Sequence, residues 1–267
     1  MAFALTMLLD ACSTLRSGKP QEGQATGAAR DRLWHKVHDE CAPAAAKGNY
    51  PPLPCIEVDT APGAAGGYAV LKDRNGRFQY LVMPLARIPG IESPALRAPD
   101  ASDYFADAWN ARLYVDAAVH RPLPRDALVL IVNSPYGRSQ DHLHIHVGCI
   151  RREVRDVLQR LLPTLDERWR PLAQPLSAQD RVYWARWAAG ESLPVDPFKS
   201  LASALPAGDR MALHSLAVAG ARSVDGRPGF VLLSAHVDAA KGDLGNSDEL
   251  QDLDCAVAAD PESPRPR

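Results

Sequence analysis

No C-x-x-C pair, no H-E-x-x-H motif, no internal repeat and no membrane-length apolar run occurs in the 267 residues of this chain, and each absence removes a class of function. Without a C-x-x-C pair, neither a zinc ribbon nor a thioredoxin-type redox motif is indicated. Without H-E-x-x-H, the helix-borne zinc protease site is excluded. Net charge is also small: the formal value is −2, the pI is near 6.4, and no basic stripe with interleaved aromatics occurs. Nucleic acid is therefore not an expected partner. Ala2 to Leu9 is apolar but too short to span a bilayer, and no Lys or Arg precedes it to form a secretory n-region. It reads either as a clipped export segment ending at Leu9-Asp10-Ala11-Cys12 or as a disordered cytosolic leader.

What is present suffices for a core. With 46% hydrophobic residues the chain can bury one in a single large domain. The polar, Gly-rich stretch that follows Cys12 predicts a flexible leader over 1–29, one catalytic domain over 30–258, and a disordered, Pro-rich tail over 259–267. The five cysteines are Cys12, Cys41, Cys55, Cys149 and Cys255. They are either buried free thiols or, in an exported chain, two disulfides with Cys12 left over. Four cysteines allow three pairings, and the short separation of one pair favours Cys41–Cys55 with Cys149–Cys255.

Trp34, Val37 and Cys41 are spaced for a short amphipathic helix, with His35 and His38 on its surface. Gly67 to Lys72 and Arg77 to Met83 form a hairpin through Asp73-Arg74-Asn75-Gly76, since Asn-Gly favours a tight turn. Ser102 is placed to cap a helix whose Phe105, Trp109, Leu113 and Val115 mark the apolar face. Ala127 to Asn133 suits a strand buried on both faces. Helices are expected over Arg151 to Leu162, Asp180 to Ala189 with Trp184 and Trp187 packing inward, and Pro197 to Ala204. A last hairpin joins His214–Arg222 to Gly229–Val237. The expected class is α+β: an antiparallel sheet built from hairpins, helices packed on one face, and a groove along a histidine-bearing strand.

That strand carries the chemistry. In extended backbone His142, His144 and His146 share one face, while Leu143, Ile145 and Val147 face a core. Their ring nitrogens can serve as nucleophile, acid, base or metal ligand. One reading is zinc held by alternating histidines, although the other candidate ligands are scattered in sequence. A second is a structural row. The third is nucleophilic attack on phosphorus, in which a neutral imidazole opens a phosphoanhydride to a phosphoramidate. Ser139, Gln140 and Asn133 supply neutral donors for that reaction and Arg138 a permanent charge. It requires no metal or other cofactor.

His142-Leu-His-Ile-His-Val-Gly148 resembles the H-x-H-x-H-x-x signature of the histidine-triad nucleotide hydrolases and transferases. Ser139 lies three residues before the first histidine, as that family's serine does, and Asn133 sits near its phosphate-side asparagine. Val82-Met-Pro-Leu-Ala-Arg87-Ile88 is similar to the family's strand–Pro-x-x-His-Ile segment, with Arg87 in place of the histidine. The run from Asn133 to Arg151, the segment Gln79 to Pro84, and Glu92-Ser-Pro narrow the resemblance to the CDP-diacylglycerol pyrophosphatase branch. It extends from about Arg30 to Cys255, patchily after Pro171.

The resemblance implies a HIT-like fold and an enzyme on the exported side of the inner membrane. Such an enzyme works at a membrane surface and cleaves CDP-diacylglycerol to CMP and phosphatidate. It implies that His144 attacks the cytidine-side phosphorus, that the His142 carbonyl orients the His144 ring, and that His146 and Ser139 contact phosphate or leaving-group oxygens. Asn133, Arg138, Gln140 and Arg87 would bind phosphate, or Arg87 is a solvated loop residue. The rival functions are a soluble nucleotide hydrolase or nucleotidyl transferase, a nucleotide-binding lipoprotein without turnover, and a periplasmic zinc carrier. No residue pattern fixes an oligomeric state.

Overall fold

A computed structural model describes residues 27–61, 66–177 and 181–259. Cys12, the rest of the expected leader up to residue 26, and the tail from residue 260 lie outside the described residues. The described chain is already helical at Gly27–Arg30 (α1), three residues ahead of the expected domain boundary.

One antiparallel sheet organises the molecule. Its strands are β1 (Glu57–Asp59), β2 (Tyr68–Lys72), β3 (Tyr80–Pro84), β4 (Leu128–Val132), β5 (Ile145–Ile150), β6 (Arg170–Pro171), β7 (Tyr183–Ala189), β8 (His214–Arg222), β9 (Pro228–His236) and β10 (Gln251–Asp252). They lie in the order β1-β2-β3-β5-β4-β8-β9-β7-β6, and β10 pairs with the end of β5 beyond β3. The histidine strand is thus central, with Leu81 of β3 and Ile131 of β4 both opposite His146. All five residues of β4 are buried, as its unbroken Leu-Val-Leu-Ile-Val sequence requires of a strand covered on both faces.

Alternation assigns the faces. Leu143, Ile145 and Val147 join Val82, Leu130 and Leu216 under helices α4 (Tyr104–Asn110), α5 (Arg112–Ala118) and α7 (Pro197–Ala204). The opposite face is covered as well, which extends the expected single helical layer. There α6 (Arg152–Leu161) packs on Val129, Ile131 and Leu233. The N-terminal helical segment, formed by α1, α2 (Arg32–His35), a π turn over Lys36–Cys41 and α3 (Ala42–Ala46), packs on Ala69, Leu81 and Met83. Between these two patches the histidine row is left open.

Three local expectations change. Tyr183–Ala189 is strand β7, not a helix. Its Ala, Arg and Trp residues are neutral locally, and seven-residue pairing with β9 decides the outcome. Trp187 packs inward, but Trp184 is exposed. The cap of α4 is Asp103, which accepts from the Ala106 amide at 3.1 Å, one residue after Ser102. The helix then breaks at Ala111, so the apolar phase slips: Val115 is buried and Leu113 faces solvent. Two disulfides form, Cys41–Cys55 and Cys149–Cys255, so these four cysteines are not free thiols. Among the described residues no helix is long and apolar enough to cross a membrane.

Candidate active site

Only His146 lies within β5; His142 and His144 sit on the extended approach to it. His142 is fully buried, with Nε2 3.0 Å from the Pro84 carbonyl and its ring edge-on to Trp34. Burial pushes its pKa down to about 4. Its side chain therefore anchors the segment, and its backbone performs a second task. The His144 Nδ1–H donates to the His142 carbonyl at 2.6 Å. Burial, and then the neighbouring His146 ring, push the His144 pKa down to about 3. A neutral ring protonated on Nδ1 has its lone pair on Nε2.

His146 has the complementary form. Its Nδ1 lies 2.7 Å from Gln79 Nε2, and the same amide donates to Gln251 Oε1 at 2.6 Å. An amide nitrogen with both hydrogens placed this way makes His146 Nδ1 an acceptor, so the ring proton resides on Nε2. That Nε2 is buried without a protein partner. The His144 and His146 rings meet edge-to-face at 5.1 Å, bringing a lone pair and an unmatched donor together. Gly148 makes room for this arrangement, since a Cβ there would lie 3.3 Å from Gln251 Nε2.

A cavity of about 610 Å³ opens on this pair, lined by His144, His146, Ser139 and Gln140. Arg32, Lys36, Lys72 and Arg74 stand around it against Glu40 and Asp73. The cationic excess suits a ligand with two linked phosphates. Lys72 Nζ is already bonded to the carbonyls of Asp73 and Gly76, and burial lowers its pKa. Arg32 and Arg74 are exposed and Lys36 is half-buried.

The other expected phosphate contacts are occupied with structure. Arg138 is buried and grips Glu92 through two 2.7 Å bonds, while its Nε and Nη2 reach Asp141. Asp141 in turn takes a fork from Arg30 at 2.6 and 2.8 Å, which draws its pKa down. Two arginines and two carboxylates cancel, so this network welds the loop before the histidines to α1 without offering net charge. Asn133 donates to Asp248 and accepts from the Ser247 amide, both at 2.9 Å. Gln140 bonds the Leu33 amide and the Ala29 and Ser139 carbonyls. Arg87 pairs with Asp31 at 3.0 Å over the Trp34 ring. Of the expected phosphate contacts Ser139 alone is exposed at the cavity. The turn that presents it is tight: a Cβ on Gly137 would lie 2.9 Å from the Leu244 carbonyl.

Sequence reasoning missed the four cations and both glutamines. Arg32 and Lys36 are one helical turn apart, and Lys72 and Arg74 flank a turn, but nothing local shows that helix and turn close over one strand. A family model described as CDP-diacylglycerol pyrophosphatase matches residues 28–259. The CDP-diacylglycerol pyrophosphatase of Yersinia pestis is 37% identical over 229 residues, covering 85% of this chain and 84% of its own length. With a match spanning nearly the whole described fold and the histidine row at its centre, the chain belongs to the CDP-diacylglycerol pyrophosphatase family.

Proposed function

We propose that this enzyme hydrolyses CDP-diacylglycerol to CMP and phosphatidate through a nucleotidyl group carried on His144. The supporting observation is the fixed tautomer of a buried neutral ring: Nδ1 tied to the His142 carbonyl and His144 lining a cationic cavity. The Nε2 lone pair attacks the cytidine-side phosphorus. The bond from that phosphorus to the bridging oxygen breaks, and phosphatidate leaves with the electron pair. The His146 Nε2–H is placed to hydrogen-bond that departing oxygen and stabilise its developing charge, the proton staying on the ring. Water then attacks the phosphorus, the P–Nε2 bond breaks with its electron pair returning to Nε2, the water's proton passes to solvent, and CMP departs. Arg32, Lys36 and Arg74 offset the charge of the two phosphates, and Ser139 hydrogen-bonds one of their oxygens.

We assign the lipid portion to exposed apolar side chains on the neighbouring loops. Tyr136, on the loop that carries Ser139, and Leu244, on the loop packed against it, are exposed and apolar. We place the enzyme on the exported side of the membrane, because two disulfides persist in an oxidising compartment. The test is His144→Ala together with rapid quenching of wild-type enzyme mixed with CDP-diacylglycerol. An acid-labile CMP adduct on the His144 peptide, and loss of CMP release in the variant, are expected. Near-wild-type turnover by His144→Ala would overturn the covalent route. A parallel panel of soluble nucleotides separates lipid-nucleotide hydrolysis from a soluble nucleotide hydrolase.

A further inference from the structure

A second constellation lies on the other face of the sheet. His214 opens β8 and His236 ends β9, and the two are directly opposite in the hairpin register. They share parity with Leu216, Val218, Phe230 and Leu232, which pack under α4 and α7, so they point away from the His144 groove. Asp209 reaches both from the preceding loop. Its Oδ2 is 3.0 Å from His214 Nε2 and its Oδ1 is 3.6 Å from His236 Nε2. One ligand atom from each of the three lies within 4.8 Å of the others.

The outer nitrogens of both rings are already committed. His236 Nδ1–H donates to the Val237 carbonyl at 2.7 Å, which leaves Nε2 as the nitrogen turned toward the carboxylate. A metal ion between Nε2 and the carboxylate would be shared by both, displacing any proton held there. His214 Nδ1 is held 3.1 Å from Ser234 Oγ, so its Nε2 is likewise aimed by a partner behind it. A backbone carbonyl or hydroxyl behind each imidazole is the usual support of a metal-bound histidine. Tetrahedral zinc with bonds near 2.1 Å separates its ligand atoms by about 3.4 Å. The two carboxylate-to-imidazole spacings bracket that value. Ser234, His214 and Asp209 also form a chain like a hydrolytic triad, but Ser234 is 3% exposed and no substrate reaches it.

We propose that Asp209, His214 and His236 bind a divalent transition metal of the zinc class, clasping the loop before β8 to the open end of the β8–β9 hairpin. Two imidazoles and one carboxylate select such an ion over calcium or magnesium, which prefer all-oxygen shells. Half-exposed His236 leaves the fourth position to water. The experiment uses metal-stripped full chain titrated with zinc against a chromophoric chelator, alongside thermal unfolding. One zinc per chain is expected, with affinity falling at least about 100-fold in His236→Ala and in Asp209→Asn. Zinc at a hundred times its dissociation constant raises the unfolding midpoint by roughly 5–10 °C in wild type. The same rise is expected in His146→Ala and none in His236→Ala. Absence of stoichiometric zinc, a shift that survives His236→Ala, or zinc lost only in His146→Ala would each overturn the site.

Discussion

Replacing Gln79 tests how the His146 donor is held. The side chain is 4% exposed and spends its two amide hydrogens on His146 Nδ1 and Gln251 Oε1. Gln79→Leu strands the Gln251 oxygen in the interior, which costs about 1–3 kcal/mol, and at roughly 2–4 °C per kcal/mol lowers the midpoint by about 2–12 °C. It also frees His146 to move its proton to Nδ1, where it no longer reaches the leaving oxygen. Loss of one positioned donor to a developing oxyanion costs about 10²–10³ in rate, so kcat should fall within that range while KM changes little. Gln79→Glu separates positioning from packing. The carboxylate only accepts, so His146 must donate through Nδ1, and Nε2 stays a donor only in the doubly protonated ring. Its kcat should therefore be partly restored at low pH and lost as pH rises, a slope absent from wild type. Steady-state profiles over pH 5–9, with nitrogen NMR of the His146 tautomer, measure both effects. A wild-type His146 carrying its proton on Nδ1, or a Gln79→Glu profile parallel to wild type, would refute the reasoning.

Other outcomes follow from the same geometry. Arg74→Ala and Lys36→Ala each remove a charge beside the phosphates and should lower kcat/KM about tenfold, from roughly 1.5 kcal/mol per charged hydrogen bond, whereas Arg87→Ala should leave it within about twofold. His144 should remain neutral, with its proton on Nδ1, when followed by nitrogen NMR down to pH 5; protonation near 6.5 would mean that the ring is not desolvated. Because His142 and His144 titrate below the ordinary 6.5, the unfolded chain binds more protons across the window from 6.5 down to about 4. Their contribution makes stability fall as pH falls through it, as denaturant titrations at fixed ionic strength will show. Cys255→Ser opens a loop closed over 106 residues, a loss of up to about 5 kcal/mol by chain-entropy arguments, measured by urea unfolding.

The hairpins were legible because their turns are written locally: Asn75-Gly76 joins β2 to β3, and Asp225-Gly226 sets a register that pairs His214 with His236. The histidine row was legible for the same reason, its period being that of a strand. What escaped depends on distant partners. Arg138 has the chemistry of a phosphate ligand, yet Glu92, 46 residues away, takes its fork. Tyr183–Ala189 became a strand because β9 was there to pair with it. The cations around the cavity come from the N-terminal helical segment and the β2–β3 turn, brought together by packing on Leu81 and Met83 rather than by any motif.

The strand β10 pairs with β5 next to Cys149, and its Gln251 completes the chain that orients His146. Cys255, four residues on, is the covalent tether of that strand. In the proposed route the donor to the leaving group therefore depends on a strand that oxidation of Cys149 and Cys255 fastens in place. A reduced chain would keep its nucleophile aligned but hold His146 loosely, and so would be slow to take up the nucleotide, since the lipid leaves in that same displacement.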